Sequence, residues 1–150
     1  MIRKKSVSAK TASEKPATSA AAAEVQEHRK ALTCAHAAID KKAENVKILN
    51  ISGLSSFTDY FVVCSAITDR QVQAIADSVK GQMKKSGFEL ISTEGYAEGR
   101  WVLMDFGDVV VHIFQDSLRE YYDLEALWRD APKVVIPPEY YTTTISNPVS

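Results

Sequence analysis

Apolar residues recur at the spacing of an α-helix in three parts of the chain. In residues 24–42 they return at every seventh position, with charged residues on the other side, which predicts an amphipathic helix. A second helix is predicted to begin after a capping box at Thr68 and to stop at Gly87. A third helix is predicted to open with another capping box at Ser117 and to continue to Trp128.

Five further stretches have the composition of β-strands, because they are rich in β-branched and aromatic residues and lie between turn signals. They cover residues 46–51, 60–64, 88–93, 101–106 and 109–114. The stretch 60–64 is apolar throughout, as expected of a strand covered on both faces. We predict that it is the central strand of the sheet.

The order of these elements predicts one α+β domain, with some α/β character, in which flanking helices cover a single mixed five-stranded sheet. Residues 1–22 contain almost no large apolar side chains and are expected to form a disordered basic tail. The domain is expected to span residues 23–130. Residues 131–150 contain several prolines and are expected to form an extended C-terminal tail.

A deletion variant that starts at Glu24 is expected to melt at nearly the same temperature as the full chain. The physical reason is that residues 1–22 lack the apolar groups needed to join a core. The melting temperatures of the two chains, measured by circular dichroism during heating, test this. A drop of more than about 5 °C, which corresponds to roughly 1 kcal/mol, would show instead that the segment packs against the domain.

The last two strands are predicted to form a hairpin with two different faces. A two-residue connection at Gly107 sets the register, so that Leu103 faces His112 and Met104 faces Val111. One face is entirely apolar and is predicted to be core. The other face consists of Trp101, Leu103, Asp105, Val110, His112 and Phe114. Its mixture of large aromatic, acidic and imidazole side chains is typical of a partly solvated recognition surface. The alternative is that helices cover this face too, with its acid and imidazole bonded to each other or to the backbone.

Composition and charge narrow the class of protein. Hydrophobic residues make up 45% of the chain and charged residues 25%, which is ordinary for a globular domain and unlike collagen or a disordered chain. The 18 Lys and Arg residues nearly balance the 19 Asp and Glu residues, giving a net charge of -1. Such a chain has no overall positive field, so any contact with RNA is expected to be local.

Several features favour a cytoplasmic protein. No apolar stretch approaches the roughly 20 residues that a membrane span needs, so no membrane partner is expected. Cys34 and Cys64 lack the spacing of metal ligands and are predicted to be buried free thiols in a reducing compartment. No apolar segment of a secretory signal follows the basic N-terminus. The alternative is the mitochondrial matrix, if residues 1–22 are a transit peptide.

The sequence contains no recognisable pattern of catalytic or metal-binding residues. Two-metal nucleotidyl transfer needs clustered carboxylates on a strand, and Asp59, Asp105 and Asp108 do not form such a pair. Phosphate-binding glycine loops and the nucleophile motifs of hydrolases are also missing from the sequence. We therefore expect no enzymatic activity, no catalytic residues, no metal site and no cofactor.

Three long segments of the chain read AIDKKAENVKILNI at 38–51, SSFTDYFVVCSAITDRQVQAIADSV at 55–79, and GRWVLMDFGDVVVHIF followed by LREYYDLEALW within 99–128. In this order they resemble the ribosomal silencing factor family, also called the RsfS or Iojap family. The resemblance implies a nucleotidyltransferase-like fold that lacks the catalytic glycine-serine and paired aspartates of that superfamily. It implies nothing about the first 22 residues or about the tail after Arg129.

The resemblance also implies a function. Family members bind large-subunit ribosomal protein fourteen on the large ribosomal subunit and sterically prevent the small subunit from joining, which represses translation. The implicated positions correspond to Trp101 and Tyr122, and the predicted register places Leu103 and Asp105 on the same strand face as Trp101. Whether Tyr121 or Tyr122 faces the partner is left open by the sequence.

Further partners and two alternative functions accompany this reading. The resemblance implies a homodimer of the free protein, although the residues themselves do not settle the oligomeric state, and any contact with ribosomal RNA is expected to be minor. The alternatives are a nucleotidyltransferase-fold enzyme with residual activity and a protein-binding module that is unrelated to the ribosome.

Overall fold

A computed structural model describes residues 28–141 of the protein, and these residues form a mixed five-stranded sheet with helices on both faces. The strands are β1 (Glu44–Asn50), β2 (Tyr60–Ala66), β3 (Ser92–Glu94), β4 (Trp101–Asp105) and β5 (Val109–Gln115). The helices are α1 (Arg29–Asp40), α2 (Asp69–Lys85), α3 (Asp116–Tyr122) and α4 (Leu124–Leu127), and a 3-10 turn spans Pro138–Tyr141. The predicted α+β class with one mixed sheet is confirmed.

The sheet has the strand order β1-β2-β5-β4-β3. Strands β2 and β5 run parallel, and the other neighbouring pairs are antiparallel. The prediction that residues 60–64 form the central strand is wrong in position, because β5 lies in the middle and β2 lies beside it. Both strands are largely buried, so apolar content alone does not show which of them is central.

Helices α1 and α2 pack against one face of the sheet and enclose the main core. The apolar face of the β4–β5 hairpin lies in this core, and the predicted register is confirmed, with Leu103 opposite His112 and Met104 opposite Val111. Cys34 and Cys64 are buried free thiols, as predicted. Burial raises the pKa of both thiols well above the ordinary value of 9.0, so neither is poised for thiolate chemistry.

The ends of α2 follow the sequence signals closely. The hydroxyl of Thr68 accepts a hydrogen bond from the backbone N–H of Gln71 at 3.0 Å, and the side chain of Gln71 accepts one from the backbone N–H of Ile67 at 3.0 Å. Beyond the last turn, Gly87 has a φ of 85°, a left-handed conformation that favours glycine. The predicted second helix is therefore confirmed at both ends.

The predicted third helix, from Ser117 to Trp128, is two short helices. Helix α3 begins one residue earlier than predicted, and its N-cap residue Gln115 makes no side-chain capping bond. The chain breaks at Asp123, which has a φ of 44°, before α4 begins. Aspartate tolerates this left-handed conformation better than most residues, and tertiary contacts described below hold the break in place.

The predicted strand at 88–93 is also shorter than expected. Only Ser92–Glu94 pairs with β4, and all three of its residues are exposed. The apolar side chains of Phe88 and Leu90 pack against the main core, although their backbones form no strand. The apolar residues of this stretch are therefore explained by their packing against the core, and the strand itself begins only after them.

The chain continues to pack against the sheet after residue 130. The backbone N–H of Asn50 donates to the carbonyl of Pro132 at 2.8 Å, and that of Val134 donates to the carbonyl of Ile48 at 2.9 Å. This segment therefore lines the outer edge of β1, which is otherwise the open edge of the sheet. The expected tail at 1–22 and residues 24–27, where the first helix was predicted to begin, lie outside the described residues.

Candidate protein-binding surface

The sheet face opposite α1 and α2, called the outer face here, carries Phe61 of β2, His112 and Phe114 of β5, and Trp101, Leu103 and Asp105 of β4. Helix α3 contacts its β2 and β5 side, and Trp128, which directly follows α4, packs against Phe61 with ring centroids 5.6 Å apart. The three β4 side chains on this face are only half-buried. One part of the outer face is therefore covered, and the part along β4 is open to a partner.

The prediction of a partly solvated hairpin face is confirmed for β4 and wrong for two residues of β5. His112 and Phe114 are buried, and the rings of Phe61 on β2 and Trp101 on β4 pack against them. The alternative reading, in which helices cover the whole face, fails along β4. The acid and imidazole are not bonded to each other: Asp105 accepts a hydrogen bond from the backbone N–H of Gly107 at 2.8 Å, which fixes the hairpin turn.

Trp101 is held by aromatic side chains and by one hydrogen bond. Its ring stacks on Phe114 at a centroid distance of 4.8 Å and an interplanar angle of 28°. Tyr122 of α3 lies against it at 4.8 Å and 42°. The indole Nε1 donates to Nδ1 of His112 at 3.2 Å. These contacts fix the ring before any partner arrives, while part of it stays exposed.

The two tyrosines at the end of α3 differ in their surroundings. Tyr122 is 47% exposed and packs on Trp101. Tyr121 is 78% exposed and meets the edge of Tyr122 at a centroid distance of 5.0 Å. The structure therefore brings Trp101, Leu103 and Tyr122 onto one surface, with Tyr121 at its border and Asp105 at the hairpin end.

His112 was predicted to be part of the partly solvated face, and it instead lies beneath that face and supports it. It is 4% exposed, and burial lowers its pKa from the ordinary 6.5 to about 4, so the ring is neutral at physiological pH. Its Nε2 has no hydrogen-bond partner within the described part of the chain. The predicted register placed His112 opposite Leu103, on the same face as Trp101. The alternation of side chains alone does not reveal a hydrogen bond between the rings of His112 and Trp101.

Arg119 of α3 is a second supporting residue that the sequence did not reveal. Its guanidinium donates to the carbonyl of Asn45 at 2.7 Å and to the hydroxyl of Ser65 at 2.8 Å. It also donates to both carboxylate oxygens of Glu125, at 3.2 and 2.9 Å, and these bonds lower the pKa of that carboxyl. Arg119 thus joins α3 to α4 across the break at Asp123 and ties both helices to β1 and β2. Tyr122 is placed by this arrangement.

The acidic residues considered for nucleotidyl transfer are used otherwise or stand apart. Asp108 forms an ion pair with Lys30 of α1, and Asp105 holds the hairpin turn. Within residues 28–141, no three His, Cys, Asp or Glu side chains are grouped so that they could hold a metal ion. In the same part of the chain, no helix has the length and apolar character needed to cross a bilayer.

A rigid, partly exposed aromatic cluster on an open sheet face is typical of protein-binding domains.

Comparison with known proteins defines the family. The chain matches the model of the family described as ribosomal silencing factor during starvation over residues 22–148. The ribosomal silencing factor RsfS of Bacillus subtilis is 50% identical over 93 residues, which cover 62% of this chain and 79% of that protein. The chloroplastic protein Iojap of Zea mays is 32% identical over 107 residues, covering 71% of this chain and 46% of that protein.

Solved structures show the same architecture. An X-ray structure of a Chromobacterium violaceum protein is 33% identical, has a TM-score of 0.67, and is matched over 77% of this chain and 98% of that one. The chain belongs to the ribosomal silencing factor family, as the three sequence segments indicated. Its role is regulatory and not enzymatic, which sets aside the alternative of residual nucleotidyltransferase activity.

Proposed function

We propose that the protein binds the large ribosomal subunit through large-subunit ribosomal protein fourteen and blocks joining of the small subunit, thereby repressing translation. The observation that carries this proposal is the Trp101–Tyr122 pair on the uncovered part of the outer face, in which Trp101 is partly exposed and Tyr122 is 47% exposed. Tryptophan and tyrosine dominate the residues that supply most binding energy in protein interfaces. Leu103 extends the apolar part of the surface, and Asp105 provides a charged rim.

The rigidity of the surface supports this role. Trp101 is already fixed by Phe114, Tyr122 and His112, so little side-chain freedom is lost when a partner covers it. A silencing factor of this kind acts by occupying the space that the small subunit needs. Such a mechanism requires a stable contact and no reacting group, which agrees with the regulatory role of the family.

Charge supports a protein as the main partner. A protein held chiefly by phosphates is expected to carry a net positive charge, whereas this chain has a net charge of -1. Contact with ribosomal RNA is therefore proposed as a minor, local addition. A homodimer of the free protein is also proposed, because an exposed aromatic surface is stabilised when a second copy covers it.

The proposed location is the bacterial cytoplasm, because relatives named RsfS come from bacteria such as Bacillus subtilis. Other relatives are the chloroplastic protein Iojap of Zea mays and a mitochondrial Iojap-related protein of Arabidopsis thaliana. The mitochondrial alternative for this chain rests on residues 1–22. Import of the full chain, and not of a chain starting at Glu24, into isolated mitochondria would support that alternative.

Excess protein is expected to lower the yield of full ribosomes when separated subunits are returned to high magnesium. Sucrose gradients measure this yield, and they also show whether the protein sediments with the large subunit alone. Unchanged joining at saturating protein would contradict the steric mechanism. Sedimentation with neither subunit would point to a binding module unrelated to the ribosome.

The neighbouring tyrosines offer a matched pair for locating the contact. Tyr122→Ala is expected to weaken large-subunit binding more than Tyr121→Ala, because Tyr122 packs directly on Trp101. A larger loss of affinity in Tyr121→Ala would place the more exposed ring at the centre of the contact. The melting temperature of each variant shows whether the helix has kept its place.

A further inference from the structure

We propose that His112 is a positioning residue, whose Nδ1 holds the indole of Trp101 in the one orientation that the partner binds. This inference rests on the proposed function and deepens it. The observation that carries it is that the buried imidazole of His112, on the middle strand, is hydrogen-bonded to the partly exposed indole of Trp101 on the neighbouring strand. Trp101 Nε1 and His112 Nδ1 lie 3.2 Å apart across the β4–β5 pair.

The other contacts of Trp101 do not select a single ring orientation. Stacking on Phe114 and packing on Tyr122 bury the faces of the indole, and a flat ring turned over about its side-chain bond keeps much of that contact. The hydrogen bond to Nδ1 is directional and distinguishes the two orientations. The orientation of the exposed edge of Trp101 therefore depends on His112.

The buried environment of His112 fixes its own orientation. Phe61 lies at the edge of the imidazole with centroids 4.7 Å apart, and Phe114 lies nearly parallel to it at 6.1 Å. Because Nδ1 accepts the indole proton, the imidazole proton must be on Nε2. The ring is thus held as a neutral acceptor that points at Trp101.

This arrangement has a cost in stability that a simple core residue would avoid. The Nε2 atom is buried and has no partner among residues 28–141. An unpaired buried N–H group is unfavourable, and an apolar side chain of similar size would fill the same space without it. A histidine at this position therefore serves a purpose other than packing, and the bond to Trp101 supplies that purpose.

Two substitutions in the full chain separate the bond from the packing. His112→Leu fills the site and removes the acceptor, whereas the Oδ1 of asparagine in His112→Asn lies near the place of Nδ1 and keeps an acceptor. We expect His112→Leu to bind isolated large subunits about three- to tenfold more weakly, as expected for one lost hydrogen bond, with no fall in melting temperature. His112→Asn is expected to recover most of the affinity.

A second measurement reads the orientation of Trp101 in the free protein. The chain has two tryptophans, so its nuclear magnetic resonance spectrum contains two indole N–H signals, and Trp101→Phe assigns the one from Trp101. That proton is expected to exchange slowly with solvent in the wild type and in His112→Asn, and faster in His112→Leu. If His112→Leu fails to fold, His112→Gln replaces it, because the glutamine acceptor lies one bond further from the backbone.

The outcomes distinguish this inference from the proposed function. Wild-type affinity and slow indole exchange in His112→Leu would overturn the positioning role, even if Trp101→Ala still binds weakly. Wild-type affinity in Trp101→Ala would overturn the proposed surface itself. Weak binding by His112→Leu and His112→Asn alike, with slow indole exchange in both, would show that the imidazole acts in some way other than through Trp101, and would also overturn the inference.

Discussion

Met104→Ala is expected to lower the free energy of unfolding by about 2 to 5 kcal/mol, and the folded variant is expected to bind large subunits as the wild type does. This result is expected because Met104 is 1% exposed and lies on the core face of β4, under α1 and α2. Truncation removes buried apolar surface and leaves a cavity that the packed neighbours fill only in part. Urea denaturation measures the loss of stability.

Trp101→Ala provides the matched comparison on the opposite face of the same strand. This variant is expected to bind large subunits about 2 kcal/mol or more weakly, which is roughly a 30-fold change in affinity. Its loss of stability is expected to be smaller than that of Met104→Ala, because Trp101 is partly exposed in the free protein. Binding is measured by sedimentation at a temperature where both variants are folded.

The two variants together test the assignment of the hairpin faces. If Trp101→Ala unfolds the domain while Met104→Ala remains stable and binds weakly, the two faces are inverted and the proposed surface is wrong. Equal losses of binding in both variants would show that the measurement reports stability. Only opposite responses support a core face and a contact face on one strand.

The register of this hairpin was predictable because two local signals agree. A two-residue connection at Gly107 leaves little choice of pairing, and the alternation of side chains then assigns each residue to a face. Gly107 has a φ of 94°, which a residue with a side chain rarely adopts. Local geometry therefore determines which residues share a face with Trp101, and this assignment does not depend on the helices that surround the hairpin.

The break between α3 and α4 was not predictable in the same way. Apolar spacing over residues 117–128 fits one continuous helix, and the left-handed Asp123 gives no strong local signal. Bonds from Arg119 to β1 and β2 act over long sequence distances, and together with its bonds to Glu125 they hold the two helices at their break. The position of Tyr122 beside Trp101 follows from these tertiary bonds, and sequence spacing does not encode them.

The burial of His112 has the same origin, because rings from β2, β4 and β5 close around it only in the folded sheet. Sequence parity gave the face but not the solvent exposure. His112 and Phe114 were expected to share a partly solvated face with Trp101, and Phe61 only to lie in the same sheet, whereas the structure joins all three into the buried support of Trp101. The alternation of side chains along a strand thus predicts which residues share a face. It does not predict which of them are buried and hold the exposed ones in place.

Acidification is expected to destabilise the wild type more than His112→Asn, by about 2 kcal/mol at pH 5 and about 3 kcal/mol at pH 4. Burial lowers the pKa of His112 from 6.5 to about 4 in the folded protein, while the unfolded chain keeps the ordinary value. As the pH falls below 6.5, the imidazole of His112 binds a proton in the unfolded state but remains neutral in the folded state. Unfolding is therefore favoured increasingly until the pH reaches the folded value, below which the difference is constant.

The comparison with His112→Asn isolates this effect from other acid-sensitive groups. The carboxyl of Glu125, whose pKa is lowered chiefly by its hydrogen bonds with Arg119, also loses stabilising contacts at low pH, but it does so equally in both proteins. Urea denaturation in steps from pH 7 to pH 4 gives the difference at each pH. A difference that stays constant across this range would mean that the imidazole is accessible to protons in the folded state, and His112 would then be unable to act as a permanently neutral acceptor for Trp101.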